Sequence, residues 1–260
     1  GSGGTPRALM IGILRQQGAD LDALFSAVGH APQPITEAEA KVPMPPEDEA
    51  TLWNLPDWLI PLFKEALGDD AGATALALQE RAPVFLRVNI AKSDRAAAIK
   101  HLSGEGITAE ANPLCDTALT VTEGTRKIRN STAYAEGFVK LQDGASQAVV
   151  AALPAGAKLL DYCAGGGGKA LAVAAQPDRS VYAHDIDPRR MADLTGRAER
   201  AGAQVTQLTT EALQAAAPFD VVLCDAPCSG SGAWRRAAEG IWTLTAARLA
   251  ELTAIQDGIL

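Results

Sequence analysis

The residues best suited to chemistry stand together in "DAPCSGSG", positions 225 to 232, where an aspartate, a proline and a cysteine are followed by small residues. The apolar run from Phe219 to Cys224 leads straight into them. That pattern predicts a buried strand ending in a glycine-rich loop, the usual seat of a reactive group in an α/β protein. A thiol placed there can add to an electron-poor carbon. Carbon 5 of cytosine, for example, is a poor nucleophile until a thiolate adds at carbon 6 and turns the ring into an enamine able to attack a sulfonium methyl. A base then removes the carbon-5 proton and the thiol is eliminated. Cys228 and Asp225 are of the right types for such work, the carboxylate holding the exocyclic amine or ring nitrogen. Taken alone, a strand-end cysteine is as readily a small, buried, inert thiol.

A second stretch, "DYCAGGGGKA", sets Gly165, Gly166, Gly167 and Gly168 between an apolar strand and a helix. Backbone amides approach a ligand closely in such a turn, and the helix N-terminus is electropositive. A triphosphate-binding loop would need glycine where Cys163 stands and Ser or Thr where Ala170 stands, so nucleotide hydrolysis is not expected. The dinucleotide pattern G-x-G-x-x-G/A is met only loosely, by Gly165, Gly167 and Ala170. The next strand ends in "HDID", and Asp185 lies 17 residues beyond Gly168, near the spacing at which an acid caps ribose hydroxyls. Loop and acid together suit either a dinucleotide or S-adenosylmethionine, and the D-A-P-C loop decides for the methyl donor.

The elements that must position these residues follow from pattern. From residue 157 the chain reads β-α-β-α-β and β again: "KLLDYCAG", a helix over 169–176, "SVYAHDI", a helix over 188–202, "QVTQL" and "FDVVLCDAP". Strands alternating with helices predict a parallel sheet whose ligand lies at the carboxyl ends of the strands. Upstream, "PVFLRVNI" reads as a strand, "SDRAAAIKHLSGEG" as a helix capped by Ser93, and "ITAEANPLCDTALTV" as two extended pieces, a small α+β module. "STAYAEGFVKLQDGASQAVVAAL" reads as helix, as do 8–17, two segments between 56 and 81, and the last stretch, 244–260. Residues 31–50 form a Pro- and acid-rich connector.

The net charge of −8 argues mildly against a nucleic-acid partner, because phosphate binding needs a basic face. The average conceals a gradient, however. Acids dominate between residues 20 and 80, whereas 81–140 holds Arg81, Arg87, Lys92, Arg95, Lys100, Arg126, Lys127, Arg129 and Lys140, the one candidate electrostatic footprint. Cys115, Cys163, Cys224 and Cys228 show no C-x-x-C spacing, which suits neither a disulfide framework nor a zinc site, and no metal is expected. His30, His101 and His184 lack ligand spacing. No apolar run approaches membrane-spanning length and no charged-then-apolar leader opens the chain, so a cytoplasmic protein is expected. Gly1 to Gly4 read as a tag remnant or the inner end of a trimmed chain.

"DAPCSGSGAWRR", with "DYCAGGGGKA", "FLRVN" and "LQDGASQ", resembles the RsmB-like (Sun) family of bacterial RNA cytosine-5 methyltransferases, in the family's order and over roughly residues 56 to 260. In that family the first loop reads C-A-A-P-G-G-K-T, so Gly165 and Gly166 here replace Ala and Pro, and Ala170 replaces Thr. The resemblance implies that Cys163, Ala164, Gly165, Gly166, Gly167, Gly168 and Lys169 wrap the methionine and sulfonium part of S-adenosylmethionine. It gives the ribose to Asp185 and places Asp225 beside methyl donor and base. The adenine amine falls to Thr210 or Glu211 in "LTTEAL", where the family has an acid. Cys228 takes the role of the cysteine that releases product, while the family's attacking cysteine sits in a T-C-S motif that this sequence does not contain. Arg87, Asn89 and Lys92 match the family's R-x-N…K pattern in an RNA-recognition-type module, and Arg235 and Arg236 are placed to meet RNA phosphates. Gln142 and Asp143 are expected to brace the junction between domains.

The expected architecture is therefore α/β: N-terminal helices and linker over 1–80, a small α+β RNA-binding module over 81–140, and a Rossmann-like methyltransferase domain over 141–260 whose sheet is C-terminally incomplete. A sheet edge left bare is sticky, and a monomer is favoured for the intact protein. RNA is the expected partner, ribosomal RNA foremost and tRNA second, with no membrane partner; cofactor binding without turnover is expected of this piece. A non-catalytic RNA-binding protein and a nicotinamide oxidoreductase remain as rivals.

Overall fold

In a computed structural model, which describes residues 5–42 and 47–259, the chain divides into two units, Gly1–Ala77 and Leu78–Leu260. In the first, Thr5 accepts a hydrogen bond from the Ala8 N–H and Pro6 presets the first turn, so the helix Pro6–Gln16 begins two residues ahead of the expected start. Its buried side, Ala8 and Ile11, is joined by Phe25, over which the Arg7 guanidinium sits at 4.9 Å while pairing with Glu39 at 2.7 Å. Within the connector a short helix, Glu37–Ala40, is held by reciprocal Thr36 and Glu39 hydrogen bonds. Residues 1–4 and 43–46, the rest of the connector's proline cluster, lie outside the described residues. Helices Ile60–Leu67 and Ala71–Gln79 match the spacing read between 56 and 81.

The second unit holds two sheets. Strands β1 (Val84–Val88), β2 (Thr108–Ala111), β3 (Ala118–Glu123) and β4 (Val139–Leu141) form an antiparallel sheet in the order β2-β3-β1-β4. Alternation along β1 sends Leu86 and Val88 into a core with Ala98, Leu102, Ile107 and Leu119, all fully or nearly fully buried, under the helix Arg95–Gly104. That helix is capped by Asp94, whose carboxylate accepts from the Ala97 N–H, and not by Ser93, whose hydroxyl is spent on the Asp94 carbonyl. The stretch read as one long helix from 131 is three elements: a turn of helix Thr132–Ala135, then β4, then the helix Gly144–Ala151 with Asp143 as its cap. Gly137, at φ +75°, reverses the chain after the first of these, and pairing with β1 draws the next residues into the sheet.

The other sheet is parallel throughout, β7 (Val205–Gln207), β6 (Ser180–Ala183), β5 (Lys158–Asp161) and β8 (Val221–Leu223) in that order. Leu159, Leu171, Leu194, Val173 and Val181 fill the layer between this sheet and the helices Gly168–Val173 and Leu194–Ala201. Each large side chain so buried contributes roughly 1.5–3 kcal/mol. The expected helix over 188–202 begins instead as a tight turn at Pro188–Met191, after which Leu194–Ala201 continues as α-helix to Gly202. Because β5 is flanked by β6 on one side and β8 on the other, the connections leaving β5 and β8 diverge, opening a crevice at the carboxyl ends of those two strands. Among the described residues no helix is long and apolar enough to cross a membrane.

Candidate active site

The glycine turn leaves β5 and the D-A-P-C loop leaves β8, so the topology brings both sequence motifs to one crevice. Across it Lys169 pairs with Asp225 at 2.5 Å. Behind the turn, Gly165 donates to the Asp185 carboxylate at 2.9 Å, Ala164 donates to the His184 carbonyl at 2.8 Å and Gly167 to the Ala164 carbonyl at 2.8 Å. Gly165 and Gly167 both adopt positive φ, +50° and +71°, and a Cβ on Gly167 would collide with the Leu194 side chain. Gly167→Ala is expected to cost about 2–4 kcal/mol, from left-handed strain plus overpacking, as read by urea denaturation.

Three carboxylates surround this turn. Asp185 is buried at the end of β6 and also receives the Asp187 N–H at 3.1 Å and Arg190 at 3.1 Å. Asp225 is half exposed. Asp161, the last residue of β5, is 1 % exposed; one oxygen accepts the Ala170 N–H at 3.0 Å while the other has no partner. Burial, first of all, pushes the Asp161 carboxyl up to about 7, and the neighbouring Asp225 and Asp185 charges add to the rise. A turn ringed with acids repels phosphate and suits a ligand carrying hydroxyls and positive charge. These residues fit S-adenosylmethionine: an orphaned buried carboxylate for a cation, a second at ribose distance in sequence, and a glycine cradle that a Cβ would fill. Ile186, beside Asp185, is exposed and offers an apolar face to a flat ring.

The thiols divide by environment. Burial pushes Cys163 and Cys224 above the ordinary thiol value, so both stay protonated, whereas Cys228 is exposed on its loop. Gln256, on the helix Ala246–Ile259, steadies that loop by donating to the Pro227 carbonyl at 2.7 Å. Thr210 reaches the crevice through His184: the ring Nδ1 faces the Tyr162 carbonyl at 2.9 Å and therefore carries a proton, and Nε2 meets the Thr210 hydroxyl at 3.0 Å. Glu211 is exposed. No group of His, Cys, Asp and Glu among the described residues could hold a metal ion.

Two family models match this chain in order: the ferredoxin-like domain of RsmF/B-like methyltransferases over residues 55–127, and the 16S rRNA methyltransferase RsmB/F domain over residues 148–260. The chain belongs to the RsmB/F-like methyltransferase family. Ribosomal RNA small subunit methyltransferase B of Xanthomonas campestris pv. campestris is 32% identical over 216 residues, 79% of this chain and 49% of that protein. The probable ribosomal RNA small subunit methyltransferase B of Bacillus subtilis is 31% identical over 222 residues, 81% of this chain and 49% of that protein. The chain thus spans about half the length of these curated relatives. The crystal structure of PH0851 superposes with a TM-score of 0.73 at 26% identity, covering 85% of this chain and 53% of that one. A methyltransferase homolog from Pyrococcus horikoshii, at 23% identity and a TM-score of 0.65, covers 79% and 71% and shares the fold.

In this RsmB/F-like chain two of the three residues matched to R-x-N…K, Arg87 and Asn89, are turned away from solvent, and Lys92 is exposed. Arg87 and Asn89 are 5% and 6% exposed. Arg87 donates to the Gly168 carbonyl at 2.8 Å and to Gln142 at 2.7 Å; Asn89 donates to the Gly137 and Ala201 carbonyls at 3.0 and 2.7 Å. Lys92 reaches the Glu136 and Arg200 carbonyls at 2.8 and 2.7 Å. Arg87 and Asn89 thus brace the module against carbonyls of the parallel-sheet half and of its own turn, while Lys92 makes its two contacts from an exposed position. Gln142 also donates to Gly168 O at 3.3 Å, and Asp143 pairs with Arg236 at 2.8 Å. Arg235 donates to the Arg81 carbonyl at 3.0 Å. Both arginines after the D-A-P-C loop are thus engaged within the chain. Trp234 is buried and Trp242 exposed, the reverse of what a helical setting suggests for Trp242. Asp161 and Arg190 escaped the sequence reading, since an acid closing an apolar strand looks like a boundary.

Proposed function

We propose that this chain binds S-adenosylmethionine and serves methyl transfer to carbon 5 of a cytosine in RNA, ribosomal RNA foremost, in the cytoplasm. The observation that carries the reading is the Lys169–Asp225 pair, which ties the glycine turn to the D-A-P-C loop at the one crevice the topology opens. The names of its relatives, which describe small-subunit ribosomal RNA methyltransferases, support the substrate class.

When bound, S-adenosylmethionine supplies an electrophilic methyl group. The chain's own residues hold the donor and the base, whereas the attacking thiol belongs to a motif this sequence does not contain. The turn over 163–169 cradles the donor with backbone amides, Asp185 takes the ribose hydroxyls in exchange for Arg190, and Asp161 and Asp225 favour positive charge between them. Asp225, freed from Lys169, holds the cytosine amine or ring nitrogen. Cys228 stands exposed on the same loop for the elimination step, in which the carbon-5 proton is lost and the bond between carbon 6 and the attacking thiol breaks.

Calorimetry with S-adenosylhomocysteine tests this. One-site binding is expected, weakened about tenfold or more in Asp185→Ala, a loss of at least one charge-assisted hydrogen bond. An RNA-binding protein with a relic cofactor fold would give no heat, and a nicotinamide enzyme would be protected by NAD in a thermal melt; either result overturns the reading.

A further inference from the structure

One feature of the second unit is out of keeping with a chain of net charge −8. Lys140 on β4 lies directly opposite Arg87 on β1, so two cations face each other across an antiparallel pair, an arrangement that destabilises a sheet. Arg197 and Arg200, one helical turn apart on Leu194–Ala201, close on the same spot, and Tyr134 completes the wall. Arg87 is at the buried floor, Lys140 and Arg197 are half-buried, and Arg200 is exposed at the rim, its guanidinium 6.0 Å from the Tyr134 ring centre.

No ion pair answers them, the Asp193 carboxylate acting on Arg197 only at longer range. Among the described residues none of the four cations forms an ion pair, and no acid lines the recess. The Nε atoms of Arg87 and Arg197 are buried without a partner. Lys140 is held down to about 8 by burial first and then by Arg197, Arg200, Arg87 and Arg129, all of like sign. Burying and crowding positive charge without compensation is costly, and structures keep such groups where a ligand of opposite charge completes them.

We infer that the recess lined by Lys140, Arg197 and Arg200, with the Arg87 brace as its buried floor, is a binding site for one phosphate of the RNA backbone. Its cavity, about 20 Å³, has room for about one water-sized group. A phosphate oxygen fits it and a nucleobase does not. It lies where the ferredoxin-like module meets the catalytic sheet's helices, and Arg87 and Arg197 also donate to the Gly168 and Gly166 carbonyls, so the site touches the glycine turn from behind. The assignment rests on RNA being the substrate, as proposed above.

Fluorescence anisotropy of this chain with a labelled single-stranded RNA, followed from 50 to 200 mM salt, tests it with Lys140→Gln and Arg200→Gln. Each is expected to lower the slope of log affinity against log salt by about 1. Wild type should then lose about 3.5-fold more affinity than either variant over that salt range. An unchanged slope in both variants overturns the site. So does a result in which inorganic phosphate, titrated calorimetrically, binds the wild type but not Lys140→Gln while RNA affinity is unmoved, because the site then takes a free anion. S-adenosylhomocysteine calorimetry on the same samples separates the two readings: retained cofactor heat with unmoved slopes removes the phosphate site alone, whereas loss of cofactor heat in the wild type removes the function beneath it.

Discussion

Asp161→Asn is expected to make the chain more stable above pH 7 and worse at holding S-adenosylhomocysteine. The Asp161 carboxyl sits at about 7 in the folded chain against 3.8 when unperturbed, so between about pH 4 and 7 the native state keeps a proton that the unfolded chain has lost. Stability from this group therefore falls as pH rises through that window and is lowest above it. Asparagine abolishes the titration. At pH 8 the variant should gain up to roughly 4 kcal/mol, three pKa units' worth, and at pH 4 the two proteins should nearly coincide. Urea denaturation at the two pH values reads this directly. The unpartnered oxygen explains why so costly an acid would persist: a cationic ligand in the crevice stabilises the charged form and draws the carboxyl's pKa down. By linkage, wild-type affinity for S-adenosylhomocysteine should rise with pH through about 7, while the variant's stays flat and roughly 10- to 100-fold weaker at pH 8. Parallel pH profiles for the two proteins would mean that Asp161 is a structural residue only.

This behaviour bears on what sequence can reveal. The β-α-β alternation, the glycine turn and the acid after β6 were readable because apolar strands and glycines are local signals, and because topology alone carries the β5 and β8 loops to one crevice. Asp161 was not readable, since nothing local distinguishes an acid that ends a strand in solvent from one that ends it buried beside two other carboxylates. The strand β4 was lost for a different reason: three residues carry too little periodicity to outweigh the helical stretches on either side, and only pairing with β1 defines it. The R-x-N match was read as an RNA surface from its resemblance to a family pattern, and nothing local in Phe85, Arg87 and Asn89, which alternate with Leu86 and Val88, says whether their side meets solvent or another part of the chain. The structure covers that face with the parallel-sheet half, and its polar groups meet backbone carbonyls there.

Arg87 puts the two views of that face in direct opposition. An RNA contact would weaken binding evenly across sequences and leave folding alone. A brace does the reverse. Arg87→Met strips the Gly168 carbonyl and the Gln142 side chain of a buried charged donor; Gly168 O keeps only the longer Gln142 bond and Gln142 Oε1 is left bare, together costing about 2–4 kcal/mol. It also relieves the crowding of Arg87 with Arg197 and Lys140, which offsets part of that loss. The net expectation is a destabilisation at the lower end of that range, about 2 kcal/mol, read in urea. Because Gly168 opens the helix behind the glycine turn, affinity for S-adenosylhomocysteine should fall with it. Arg87→Lys should recover little, since one ammonium cannot reproduce the guanidinium's fork toward both acceptors. Lys140→Gln, one strand away and on the recess side of the sheet, should instead leave cofactor affinity intact and alter only the salt dependence of RNA binding. If Arg87→Met folds with wild-type stability and loses RNA alone, the brace is refuted and the original surface reading of the R-x-N match returns.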